Sequence, residues 1–148
     1  MNAEQHSNIG AANLRFRLPA TFIGVRETCQ SLIGALSNQG VDDDRVGTIQ
    51  LVVAEALNNV VEHAYQENGG EIEMTIASNA SELAFTIIDW GREMPGRVLP
   101  SGVLSDMPDD PMEMPEGGFG WFLIRDLTDG LNYHRNGKSN VLEFQFSS

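Results

Sequence analysis

The segment from Val46 to Gln66 constrains the fold more than any other part of the chain. Its apolar residues recur three and four positions apart, at Val46, Ile49, Val53, Leu57, Val60 and Ala64. Since an α-helix turns by about 100° per residue, this spacing is that of an amphipathic helix with one buried stripe. Three aspartates at positions 42–44 offer N-cap oxygens in front of it. We therefore predict a helix over about residues 43–67, ended by Asn68-Gly69-Gly70.

A polar row runs along the other side of this predicted helix. Glu55 lies nearly opposite the apolar stripe, and Asn59 and His63 follow it at i+4 and i+8. A row of this kind is most often a solvated helix face, and that interpretation stays open here. The flanks of the row are apolar, however: Leu51, Val52 and Ala56. Asparagine is also a mediocre helix former, so the row is a candidate functional surface.

The remaining periodicities place strands and helices around this segment. We predict strands at 14–18, 71–77, 83–89, 130–135 and 140–146, and further helices at 21–38 and 119–129, with Asn136-Gly137 as the turn of the last hairpin. The order β-α-α-β-β-loop-α-β-β predicts the α+β class, as a two-layer α/β sandwich whose mixed sheet is covered on one face by helices. We expect residues 1–12 to be a flexible tail and residues 13–148 to form a single domain.

Composition excludes several classes of function. The formal net charge is −12 and the nine basic residues are scattered, so neither nucleic acid nor an anionic membrane is an expected partner. No apolar run approaches the roughly 20 residues of a membrane helix, and the first residues lack the features of a signal peptide. We therefore expect a cytoplasmic protein. The single cysteine, Cys29, cannot build a disulfide framework or a cysteine metal site.

Two glycine-containing segments are further candidates for a site. A strand-like run ends in Asp89-Trp90-Gly91, where a carboxylate can accept a hydrogen bond from an amino group and a glycine allows a flat ring to approach the backbone. The run Glu116-Gly117-Gly118-Phe119-Gly120 leads directly into a predicted helix, whose free N–H groups and dipole favour an anion. It is neither a Walker A loop nor a Rossmann fingerprint. Taken singly, an ordinary turn and a hinge remain alternatives.

The segment between these two glycine runs has a composition of its own. It holds five of the six prolines and four of the six methionines, with many acidic residues and no periodicity. A loop of this length in a small domain is often functional. A lid over a ligand and a flexible insertion are equally compatible with this composition.

Together, the three motifs resemble those of the GHKL ATPase superfamily, whose members share the Bergerat ATP-binding fold. The run Glu55-Ala56-Leu57-Asn58-Asn59, continued by His63-Ala64-Tyr65, resembles the N box. Asp89-Trp90-Gly91 resembles the first half of the G1 box, and Gly118-Phe119-Gly120 resembles the G2 box. Within the superfamily, the sequence most resembles the bacterial anti-sigma-factor serine/threonine kinases, over about residues 14–146.

The resemblance implies a role for each motif residue. Asn59 would ligate Mg²⁺ and Glu55 would act as the general base. The remaining implied ATP contacts come from Asp89 for the adenine amino group, Gly91 for close approach to the ring, and Gly118 and Gly120 for the lid and the phosphates. Residues 92–117 would form the ATP lid, and His63 would frame the pocket without a catalytic role.

The sequence also departs from the superfamily pattern at two places. Glu93 stands where a full G1 box has its second glycine. Family members often place a threonine near adenine in the penultimate strand, and Ser139 or Asn140 is the candidate substitute here.

The function implied by the resemblance is that of an ATP- and Mg²⁺-dependent serine/threonine kinase and anti-sigma factor. Such a protein phosphorylates an anti-sigma-factor antagonist in one state and holds a sigma factor in another, and the resemblance implies a homodimer. Two alternatives stay open from the sequence: a non-catalytic module that sequesters a partner, and a kinase in a switching pathway without a sigma factor. The presence of Glu55 favours an enzyme, since binding alone needs no base.

Overall fold

The computed structural model of the protein describes residues 13–100 and 118–147. Within these ranges the chain forms, in order, β1 (Asn13–Pro19), α1 (Phe22–Asn38), α2 (Asp43–Asn59), a π-helical turn (Val60–Ala64), β2 (Glu71–Ser78), β3 (Glu82–Asp89), a 3₁₀ turn (Pro95–Arg97), α3 (Gly118–Leu127), β4 (Gly130–Asn136) and β5 (Ser139–Ser147). The predicted tail at 1–12 and most of the predicted lid, residues 101–117, lie outside the described residues.

The second helix begins after its predicted aspartate cap, and the first begins after Thr21, one residue later than predicted. The Thr21 side chain accepts a hydrogen bond from the backbone N–H of Gly24 at 3.0 Å, and the Asp42 side chain accepts one from the N–H of Asp44 at 2.9 Å. Each bond satisfies one of the free N–H groups of a helix start. The predicted stripe of α2 is confirmed, with these members buried: Val46, Ile49, Val53 and Leu57.

The sheet has the strand order β1-β2-β3-β5-β4. The predicted α+β class is confirmed, but the sheet differs from the mixed one expected, because every pairing among the described strands is antiparallel. The connections explain the difference. Two helices separate β1 from β2, so the chain returns antiparallel beside β1, while β2–β3 and β4–β5 are hairpins. Strand β4 does run parallel to β3, but β5 lies between them.

The core fills the space between the sheet and the helices. Along β3 every second residue is buried, in the series Leu83, Phe85, Ile87 and Asp89. Phe85 stacks on Phe144 of β5, with ring centroids 5.2 Å apart. Asp89 continues this inward-facing series at the end of the strand. The strand alternation therefore directs a carboxylate to the helix-facing side of the sheet.

Two predicted boundaries differ in the structure. The helix expected to continue to residue 67 ends as an α-helix at Asn59, and Gln66 and Glu67 have φ values of 52° and 60°, which lie outside any right-handed helix. The last hairpin turns at 137–138 instead of 136–137, because Asn136 pairs with Ser139. Gly137, with a φ of 62°, takes the first central position of this turn. In the described part of the chain, no helix is both long and apolar enough to cross a bilayer.

Candidate functional site

The first and third sequence motifs meet where α2 packs against α3. A Cβ atom built on Gly120 would overlap Oε2 of Glu55 and would lie 4.0 Å from Nδ2 of Asn59. Glu55 and Asn59 are one helical turn apart on α2, so both side chains face the first turn of α3. The structure thus brings an acid and an amide of one helix together with a buried glycine that is far from both in the sequence.

Asn59 is buried, and its amide nitrogen has no partner in the part of the chain that the structure describes. Its relative exposure is 6%, and among the described residues Nδ2 has no hydrogen-bond partner. Leaving a buried donor unpaired costs about 1–3 kcal/mol, and native structures seldom carry such a group without a reason. The solvated-face interpretation of the polar row is therefore wrong for Asn59. Glu55 is half-buried, and the side chain of His63 is 36% exposed.

A π-helical turn follows Asn59 directly. In this turn the N–H of Tyr65 bonds to the carbonyl of Val60 at 3.1 Å, five residues back. Single π turns inside helices are frequent at functional sites. The wider turn presents carbonyl groups to the segment that follows β3: Arg92 donates its N–H to Ala64 O at 2.9 Å and its Nε–H to His63 O at 2.8 Å. The N-box helix is thereby tied to the G1-box segment.

Asp89 is a buried carboxylate with a defined orientation. Its exposure is 4%, and Oδ1 accepts hydrogen bonds from Nδ2 of Asn140 at 2.8 Å and from the N–H of Gly91 at 2.9 Å. Burial raises the pKa of Asp89, while these two bonds and the charge of Arg135 act in the opposite direction. Neither bond uses Oδ2, so the carboxylate retains an acceptor for a further donor.

Asn140 is the centre of the network that holds Asp89. The two residues are direct cross-strand neighbours on β3 and β5. The amide of Asn140 donates to Asp89 and to Arg92 O at 2.9 Å, and its Oδ1 accepts from the hydroxyl of Tyr133 at 2.6 Å and from Nη1 of Arg135 at 3.1 Å. Of the two residues suggested for the position near adenine, the structure brings Asn140 to Asp89.

The other suggested residue, Ser139, lies at the hairpin turn, where its hydroxyl donates to Asn136 O at 2.9 Å. Sequence reasoning missed Tyr133 and Arg135. The alternation of β4 was the available signal, since it places the side chains of Tyr133 and Arg135 on the face of the sheet that carries Asp89 and Asn140.

Gly91 is required by the fold itself. A Cβ atom here would lie 2.5 Å from the carbonyl oxygen and 2.8 Å from the Cβ of Ala64, distances that real Cβ atoms do not adopt. The glycine therefore permits contact between the end of β3 and the π-helical turn, whatever it also does for a ligand. Beside it, Trp90 donates its N–H to the hydroxyl of Tyr65 at 2.8 Å, and that hydroxyl donates to Glu71 O at 2.7 Å.

The remaining predicted residues lie at the ends of the described segments. Gly118 is the first residue of α3. Glu93, at the position of the missing second glycine, forms an ion pair with Arg97. The geometry therefore defines two groups, a buried carboxylate acceptor at the end of β3 and an acid–amide pair on α2. The π-helical turn that follows α2 is hydrogen-bonded to the segment after β3.

Residues 18–146 match the family of histidine kinase-like ATPase domains. The chain belongs to this family.

Among its relatives are proteins named serine-protein kinase RsbW. The chain is 29% identical over 122 residues to the one from Oceanobacillus iheyensis, covering 80% of this chain and 76% of that one. It is 27% identical over 130 residues to the one from Bacillus mycoides, covering 87% and 81%. The predictions of the superfamily, of its anti-sigma-kinase branch and of a kinase-type enzyme are confirmed by these matches.

Solved structures show the same fold. The RsbU and RsbW domains of a Mycobacterium tuberculosis protein align with a TM-score of 0.64 at 17% identity, over 91% of this chain and 31% of that one. A chain of the SiaB-SiaC complex from Pseudomonas aeruginosa aligns with a TM-score of 0.65 at 14% identity, over 99% and 96%.

Proposed function

We propose that this protein binds Mg-ATP and transfers the γ-phosphoryl group to a serine or threonine of a partner protein. The observation that carries the proposal is the meeting of Glu55 and Asn59 at the first turn of α3, where the buried amide nitrogen of Asn59 finds no partner among the described residues. An acid and a metal-ligating amide side by side at a helix start suit phosphoryl transfer. The kinase names of the relatives support the same reaction.

The two groups of described residues fit the two ends of a nucleotide. At the adenine end, Asp89 offers a buried carboxylate oxygen to an exocyclic amino group, and Asn140 and Gly91 fix its orientation. At the phosphate end, the Asn59 amide would turn its oxygen to Mg²⁺, a hard cation that takes oxygen ligands from carboxylate or amide groups and from phosphates. The bound ion would neutralise the charge that develops during transfer.

In this mechanism Glu55 acts on the incoming hydroxyl. Its carboxylate accepts the hydroxyl proton as the serine or threonine oxygen bonds to the γ-phosphorus and the bond to the β–γ bridging oxygen breaks. General-base assistance of this kind is worth about 10²–10⁴-fold in rate. Asn59 would hold the metal, and the first turn of α3, with Gly118 and Gly120, would contact the phosphates. Residues 92–117 serve as the lid.

The partner in this proposal is an anti-sigma-factor antagonist, and in the other state of the circuit the protein sequesters a sigma factor. We propose a homodimer and a cytoplasmic location on the same grounds, which are the resemblance to anti-sigma-factor kinases and the relatives named RsbW. Co-purification from the native cell, followed by mass spectrometry, identifies the antagonist to be used as substrate.

The test separates the proposed role of Glu55 as general base from that of Asn59 as metal ligand. We expect Glu55→Gln to bind Mg-ATP with near-normal affinity and to lose about 10²-fold or more of transfer, because glutamine keeps the size but not the basicity. Asn59→Ala should lose both binding and transfer. The assay is transfer of labelled γ-phosphate to the co-purified antagonist, beside calorimetric titration with Mg-ATP.

Two substitutions of the same residue types are matched controls. Glu27→Gln changes an exposed glutamate on α1, and Asn58→Ala changes the residue next to Asn59; both should behave as the unmodified protein. Absence of saturable ATP binding at millimolar nucleotide contradicts the whole proposal. Binding without transfer to any co-purified partner favours the non-catalytic module, and transfer at the normal rate by Glu55→Gln means that another group is the base.

A further inference from the structure

Gly120 occupies an unusual position for a helical glycine. Glycine is a poorer helix former than alanine, and α1 and α2 contain three others: Gly24, Gly34 and Gly47. A Cβ atom on Gly34 or Gly47 would meet nothing within 4 Å, and one on Gly24 would meet Pro19 and Thr21, which lie just before its own helix. A Cβ atom on Gly120 would instead overlap Oε2 of Glu55 and approach its Cδ to 3.4 Å. Contact with a side chain of another helix therefore distinguishes Gly120 from the glycines of α1 and α2.

The backbone on either side of this contact is fixed by packing. Next to Gly120 on α3, Trp121 is 3% exposed and Ile124 is fully buried. Next to Glu55 on α2, Ala56 and Leu57 are also buried. Helices anchored in this way do not move apart for one methyl group. The end of the Glu55 side chain is the part that can move, since the residue is half-buried and its side chain is flexible.

We propose that Gly120 is a positioning residue for Glu55, because the space left by its missing side chain is where the Glu55 carboxylate is held beside Asn59. The buried amide nitrogen of Asn59, which has no partner within residues 13–100 and 118–147, lies 4.0 Å from the Cβ position of Gly120. The glycine thus keeps the acid and the amide facing one position at the start of α3. This inference rests on the proposed role of Glu55 as the base, and it gives Gly120 a function separate from contact with the phosphates.

The consequence for Gly120→Ala is a displaced carboxylate in an intact fold. The added methyl group would push the end of Glu55 away from α3, and a misplacement of about 1 Å can cost about 10²-fold in rate. We expect ATP affinity to stay within about threefold, and transfer at saturating ATP to fall by about 10–100-fold. The KM for ATP should change little. Gly47→Ala, on the same helix as Glu55, is the matched control and should leave both quantities unchanged.

A shorter acid tests whether Gly120 acts through Glu55. In the unmodified protein, Glu55→Asp should lower the transfer rate, because the carboxylate withdraws by one methylene. In the Gly120→Ala background the same change relieves the overlap, so the double variant should transfer faster than Gly120→Ala alone. Equal fractional losses in the two backgrounds would overturn the inference, since independent sites give additive effects.

A measurement without catalysis separates this inference from the proposed function. The ¹³C chemical shift of the Glu55 side-chain carboxyl, assigned by its disappearance in Glu55→Gln, is recorded without nucleotide. We expect Gly120→Ala to move this resonance and Gly47→Ala to leave it in place. An unmoved resonance in Gly120→Ala refutes the positioning role even if the protein is a kinase. A moved resonance supports it even if transfer is absent and the proposed function fails.

Discussion

Substitution of Asn140 by alanine tests the network that orients Asp89. Asn140 is 5% exposed, and each of its two polar atoms takes part in two hydrogen bonds. Alanine removes all four bonds and leaves a small cavity. The buried carboxylate of Asp89 then keeps only the N–H of Gly91 as a donor to Oδ1. Because the lost bond lowers the pKa of Asp89, its removal raises that pKa further.

The magnitude follows from what each former partner retains. A hydrogen bond to a charged group is worth about 1.5–3 kcal/mol, and a neutral one about 1 kcal/mol. Tyr133 keeps its bond from the N–H of Met94, and Arg135 keeps the carbonyls of Gly91 and Gly137. The unpaired groups are therefore mainly Asp89 and the carbonyl of Arg92. We expect a loss of about 3 kcal/mol in the free energy of unfolding and ATP binding weaker by about tenfold.

The assay is urea unfolding at neutral pH with calorimetric titration of ATP on the same preparations. Asn132→Ala is the matched control, since Asn132 is exposed on β4 and makes one bond of 3.3 Å to Glu143. Its effect on unfolding should stay within about 0.5 kcal/mol. If Asn140→Ala loses less than about 1 kcal/mol in the free energy of unfolding and keeps normal ATP affinity, the argument is refuted. The network would then contribute neither to stability nor to the orientation of Asp89.

Two further substitutions probe the adenine end. Asp89→Asn should weaken ATP binding, because an amide N–H would face the adenine amino group. It should also gain stability relative to the unmodified protein as pH rises. Burial raises the folded-state pKa of Asp89, so its contribution is present below the ordinary aspartate pKa and lost as pH passes the raised value. A pH-independent difference in urea unfolding between the two proteins would contradict this. Gly91→Ala should destabilise the fold by about 1–3 kcal/mol through overlap with Ala64. Gly96→Ala is its control for a glycine in open space, although its φ of 67° adds some strain. Thermal unfolding measures the loss of stability in each glycine variant. Equal losses in the two would mean that the contact with Ala64 is not what constrains Gly91.

Local pattern was sufficient for most of the fold. The apolar stripe of α2, the aspartate cap in front of it, and the alternation along β3 each depend on neighbours within a few residues. Such signals are readable because helix and strand periods are fixed by backbone geometry. The predicted turn of the last hairpin was wrong by one residue. Gly137 satisfies the local preference at either central position of the turn, and the pairing of Asn136 with Ser139 decides between the two.

The sequence by itself determined the family, the three motifs and the spacing of Glu55 and Asn59 along one helix. Only the tertiary structure decided what surrounds them: an Asn59 amide nitrogen without a partner in the described ranges, an Asn140 that bonds Asp89 from 51 residues away, and a Gly120 that leaves room for Glu55. Burial and hydrogen-bond partners are properties of the space between elements, and that space is fixed by how two helices and a sheet pack. A single chain's periodicity carries the direction in which a side chain points, but not the atoms that it meets there.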